Sequence, residues 1–148
     1  MSTISRKLSK WLSPEFIAGE LIDEWGEAGF IWLDGDGSNC GQWITLGANP
    51  IEEICCRGIE INNKNQNPFK ALRSIKSGHW TGWLSYEAGA WIEPRNPWKN
   101  DSMATLWIAS HDPVFKLNLN THELWIEGYN EDRIKIFTQW LRKNHKKK

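Results

Sequence analysis

The chain has 148 residues, of which 40% are hydrophobic, and its eighteen basic side chains balance eighteen acidic ones. That length suits one domain able to bury roughly two thirds of the surface its unfolded form exposes. Balanced charge and the lack of any apolar run of membrane-spanning length argue against nucleic acid or a bilayer as partner.

In chain order, Ser13, Pro14 and Glu15 read as N-cap, first helical position and first-turn acid, with Phe16, Ile17, Leu21 and Trp25 on one apolar face. The helix should end near Gly26 or Gly29. "FIWL" (Phe30 to Leu33) and "QWITL" (Gln42 to Leu46) read as strands of a hairpin joined by the turn-rich "DGDGSNCG". Asn67 and Pro68 open a second helix with Phe69, Leu72 and Ile75 on one face, and Gly78 stands where a left-handed helix-ending residue is wanted.

"GHWTGWLSYEAGAWIEP", Gly78 to Pro94, places three tryptophans and a tyrosine among three glycines. Either an aromatic stacking platform or a strand and turn that admits another backbone closely would use such a composition. "PRNPWKNDSM" then reads as a loop and "ATLWIAS" as a buried strand. In the hairpin "VFKLNLNTHELWIEG", Phe115, Leu117 and Leu119 alternate with Lys116, Asn118 and Asn120. Asn130 caps a last helix with acids first, Ile134, Phe137, Trp140 and Leu141 on one side, and bases at its end. This order predicts an α+β fold, an antiparallel β-sheet with a few packing helices, and one domain over residues 1–148.

The candidate chemical motifs are weak. "DGDGSNCGQWIT" starts like a calcium loop with Asp34, Asp36 and Ser38, but Asn39 holds the sharp-turn glycine position and Thr45 that of the bidentate acid. Cys40, Cys55 and Cys56, with four histidines, show no paired zinc-ligand spacing, so no metal site is expected. An odd cysteine count, with no secretory apolar region opening the chain, fits free thiols and a cytoplasmic location. Ser85 lacks a nucleophile elbow, and Glu87 and Glu93 read as ordinary exposed acids. The basic end "KNHKKK" complements the helix dipole. No catalytic residue is expected. Eleven tryptophans, from Trp11 to Trp140, exceed what one such core needs. Several should meet on the surface near Trp83, Trp91 and Trp107 as an apolar patch.

Taken in order, "FIWLDGDG", "QWITLGANP", "PFKALRSI", "GWLSYEAGAWIEP" and "LWIASHDPVFKLNLNTHELWIEG" resemble the N-terminal domain of anthranilate synthase component I and aminodeoxychorismate (para-aminobenzoate) synthase component I. The resemblance spans about Glu15 to Leu141, and "LGANP" and "GWLSYEAGAWIE" are its most specific parts. It implies a role in chorismate amination for folate or tryptophan biosynthesis. The chemistry and the Mg2+ would belong to a later chorismate-binding domain, with ammonia from a glutamine amidotransferase. The chain stops where that domain would begin, so the resemblance implies a split or truncated, non-catalytic domain with no cofactor of its own. Its partners would be a separate chorismate-binding chain, the amidotransferase indirectly, or a second copy of itself.

By the same resemblance, Gly82 and Gly89 are close-approach positions, and Trp83, Tyr86 and Trp91 are core or interdomain contacts. The family's tryptophan pocket maps here onto Leu33, Asp34, Gly35 and onto Gln42, Trp43, Ile44. Gly35 and Ile44 stand in place of serines and Gln42 in place of an arginine, so the resemblance implies a degenerate pocket. A stand-alone module binding a small aromatic ligand on its aromatic surface is the alternative.

Overall fold

The computed structural model describes residues 2–36, 38–93, 95 and 98–146. Outside them lie Gly37 of the first expected turn, Pro94, Asn96 and Pro97 of the expected loop, and Lys147 and Lys148 of the basic end.

In chain order the elements are β1 (Ile4–Lys7), α1 (Pro14–Trp25), β2 (Ile31–Leu33), β3 (Trp43–Gly47), β4 (Glu52–Arg57), α2 (Pro68–Ser74), β5 (His79–Leu84), β6 (Ala104–His111), β7 (Val114–Asn118), β8 (Glu123–Gly128) and α3 (Glu131–His145). Short 3-10 turns cover Lys64–Gln66 and Tyr86–Trp91. The fold is α+β with antiparallel sheets, as the element pattern predicts. Two compact units divide it: residues 1–51 with 111–148, and residues 52–110.

In the first unit the strands run β1-β8-β7-β3-β2. The expected hairpins are present, with Trp32 opposite Leu46 and Leu117 opposite Leu124. Local chemistry sets the helix ends. Ser13 Oγ accepts the Phe16 amide at 3.2 Å, and Gly26, at φ 82°, ends α1 in a conformation that disfavours a side chain. Asn130 Oδ1 likewise accepts the Arg133 amide at 3.1 Å.

The apolar faces of α1 (Ile17, Leu21) and α3 (Ile134, Phe137, Leu141) meet Ile44, Leu46, Phe115, Leu117, Leu124 and Ile126 of the sheet in one continuous core. Trp25 stacks on Phe137 at 4.5 Å and lies 4.8 Å from Trp140, which ties the two helices together. Asp112, not singled out from the sequence, joins the start of β7 to α3. Its carboxylate accepts the Tyr129 and Asn130 amides at 2.8 and 3.1 Å, and its carbonyl accepts Arg133 Nε. Asn118 is buried despite its place among the polar positions of β7, because its Oδ1 accepts the Asn120 and Thr121 amides and closes the β7–β8 turn.

In the second unit the strand order is β4-β6-β5. A small core of Cys56, Leu106 and Ile108 packs with Ile54, Ala71, Leu72, Ile75 and Trp80. Asn67 Oδ1 caps α2 by accepting the Phe69 and Lys70 amides. The end of α2 departs from expectation: it stops at Ser74 with Ile75 extended, so Gly78 does not cap it. Gly78, at φ 107°, introduces β5 instead.

Candidate functional site

The segments expected to form the degenerate tryptophan-type pocket come together where β2 leaves and β3 enters the first sheet. Leu33 pairs with Thr45 at the end of β2, and Trp43 pairs with Asn118 at the start of β3. Leu33 and Trp43 are 46% and 40% exposed, so they frame an open surface. The polar groups beside them are already engaged. Asp34 Oδ1 accepts Trp32 Nε1 at 3.2 Å. The Gln42 carbonyl accepts the Leu119 amide at 2.9 Å, and its side-chain oxygen lies 3.4 Å from Asn120 Nδ2. Ile44 is buried in the core, facing away from this surface.

Gly35 has a steric reason to be glycine. A Cβ there would stand 2.0 Å from the Gly41 carbonyl oxygen and 2.7 Å from that of Trp43. The two arms of the connection approach too closely for any side chain, so a serine could not restore a hydroxyl without moving backbone. Nearby, Asp36 accepts the Ser38 amide at 2.8 Å, and hydrogen bonds from Ser38 hold its carboxyl below the ordinary range. This is a self-capped turn. Four cavities formed by the described residues are lined by other side chains.

The aromatic stretch from Gly78 is the other candidate surface. Gly82 is a close-approach glycine, since a Cβ would lie 1.9 Å from the Trp107 carbonyl oxygen in the neighbouring strand. Gly89 approaches a side chain, with Cβ space 2.8 Å from the Trp98 ring, and Tyr86 meets the same ring edge-on at 5.4 Å. Ala88 and Ala90 are the buried residues of the 3-10 turn, while Trp91 is half-buried and donates its indole N–H to the Gly58 carbonyl at 3.1 Å.

The larger side chains of this stretch are not core. Trp83 is 36%, Leu84 46%, Ile92 70% and Tyr86 79% exposed. Trp107 and Trp91 are half-buried, so the exposed apolar surface is made by Leu84, Tyr86 and Ile92 more than by the tryptophans. Across the whole chain no tryptophan is fully buried, in keeping with the size of the ring. The thiols are ordinary: Cys40 and Cys55 are exposed, and burial, with Cys55 beside it, pushes the Cys56 thiol upward, away from the reactive thiolate.

Among the described residues no helix is long and apolar enough to cross a membrane, and no cluster of three or more His, Cys, Asp or Glu could hold a metal ion. Among the described residues, the two candidate surfaces offer chiefly apolar and aromatic contact. No protein-family model matches the chain, and no curated protein matches its sequence.

Proposed function

We propose that this chain serves as the non-catalytic N-terminal domain of a chorismate-aminating synthase of the anthranilate or aminodeoxychorismate kind. In that role it docks and supports a chorismate-binding catalytic domain and contributes no reacting group. The observation that carries the reading is the exposure of Trp83, Leu84, Tyr86 and Ile92. They sit in the very segment through which the family resemblance is most specific. Apolar area left in water forgoes roughly 25 cal/mol per Å2, and four exposed apolar side chains of this size within ten residues are a surface that gains by acquiring a partner.

The test is reconstitution. The purified chain is mixed with the chorismate-binding domain of an aminodeoxychorismate synthase, and separately with that of an anthranilate synthase, in the presence of ammonia and Mg2+. The reading expects a complex by sedimentation with one of them and no product from the chain alone. Product made by the isolated chain, or no association with either domain, would overturn it.

A further inference from the structure

A second feature belongs to the first unit and does not depend on the proposed function. After β1, the Leu8 amide donates to the Leu124 carbonyl at 2.8 Å, and the chain then leaves the sheet edge toward α1. Between this segment and the last turns of α3 lies a cavity of about 320 Å3. That is at the low end of the sizes that accept small organic ligands.

Its lining is divided by chemistry. Leu8, Leu12, Leu124 and Leu141 give an apolar floor, while Lys10, Arg142 and Lys146 supply cations and no acid lines it. The neighbouring basic residues are neutralised locally: Arg6 pairs with Glu131 at 2.6 Å, and Lys7 with Glu123 at 3.2 Å. Among the described residues no acid pairs with Lys10, Arg142 or Lys146. The Thr138 hydroxyl is committed to the Ile134 carbonyl at 2.7 Å. His145 also lines the cavity, and its Nε2 is shut off from water with no hydrogen-bond partner. A buried polar atom without a partner carries a desolvation cost that a bound acceptor would remove.

We infer that this cavity binds a small amphipathic acid, an apolar tail of medium length ending in a carboxylate. The tail replaces water over the four leucines. The carboxylate sits among Lys10, Arg142 and Lys146, where the arginine fork matches its two oxygens, and it accepts from His145. An uncharged tail of the same length forgoes the charge-assisted bonds, and a cationic one is repelled.

Octanoate, octanol and octylammonium are the probes, titrated against the whole chain and followed by calorimetry and by the methyl NMR shifts of Leu8, Leu124 and Leu141. Octanoate should bind saturably at about 1 mM or below, shift those methyl groups, and outcompete octanol, with octylammonium silent. Lys10→Glu with Arg142→Glu, both at the rim, should weaken octanoate about tenfold or more while leaving octanol unchanged. His145→Ala, a milder change, should weaken octanoate alone. Absence of saturable octanoate binding, equal binding of octanol, or a double variant that binds octanoate as well as the parent would each overturn the assignment.

Discussion

The two units solve the problem of burying apolar surface differently. In residues 1–51 and 111–148, two long amphipathic helices bring Ile17, Leu21, Ile134, Phe137 and Leu141 against a five-stranded sheet, and Leu21, Leu46, Leu117, Ile126 and Ile134 are wholly buried. In residues 52–110, one seven-residue helix meets a three-stranded sheet whose fully buried apolar cluster is Cys56, Leu106 and Ile108. The second unit also carries Ile61, Trp83, Leu84, Tyr86, Ile92 and Met103 in solvent. The first unit also exposes Leu33, Trp43, Ile51 and Ile136, but beside a far larger core; the second, with its thin core, has more to gain by covering its exposed apolar side chains with a partner.

Phe137→Ala probes the first unit at its centre. Its ring stacks on Trp25, lies 6.3 Å from Phe115, and has the Arg133 guanidinium 5.5 Å above it. Its loss should cost about 3–5 kcal/mol in denaturant unfolding, by transfer and by the cavity left behind. A cost below about 1 kcal/mol would mean that this core is not the source of the unit's stability.

Gly82→Ala and Gly19→Ala sharpen the contrast because their signs differ. At Gly82 the added methyl meets the Trp107 backbone, so the second unit should lose roughly 1–3 kcal/mol. At Gly19, within α1, nothing lies within 4 Å of the new Cβ. That change should stabilise the first unit by about 0.5–1 kcal/mol through helix propensity and a less disordered unfolded chain. Both are read as shifts in unfolding midpoint.

Part of this was legible in the sequence. Ser13, Asn67 and Asn130 marked helix starts because a cap is a bond between residues two or three apart. The hairpins were legible from alternation. The strands "ISRK" and "EEICCR" were not, since both are edge strands rich in charged side chains, and their place is set by backbone pairing with β8 and β6 far along the chain. The family resemblance, not the spacing of glycines, pointed to the close approach at Gly82, and whether Tyr86 lies inside or outside depends on residues remote from it. Gly35 read as a lost serine, when the constraint is the Gly41 carbonyl across the turn. The basic end of α3 read as a dipole complement because most of the leucine floor beside it comes from two other segments, the β1–α1 connection and β8.

The smallest effect expected is on the acid limb of stability. Hydrogen bonding from Arg6, then the charges of Lys135 and Arg6, hold Glu131 below its ordinary value of 4.5. Hydrogen bonds from Trp125 and Lys7 do the same for Glu123. A depressed carboxyl stabilises the fold above the unfolded value and loses that contribution as pH falls through the folded one. Stability of the first unit should therefore fall slightly below about pH 4.5, less so at high salt, because these pairs are exposed. Arg6→Ala should remove the Glu131 part of that slope, as read from unfolding midpoints between about pH 5 and pH 3.

The proposed docking of a chorismate-binding domain on the exposed apolar surface of the second unit is tested most directly by amide hydrogen exchange with and without that domain. In the isolated chain, amides of β5 and the Tyr86–Trp91 turn should exchange well before those of β7 and β8, as expected for a thin core beside a full one. Adding the catalytic domain should slow exchange across residues 79–92 and leave β7 and β8 as they were. Unchanged exchange over residues 79–92 at a saturating excess of that domain would contradict the claim.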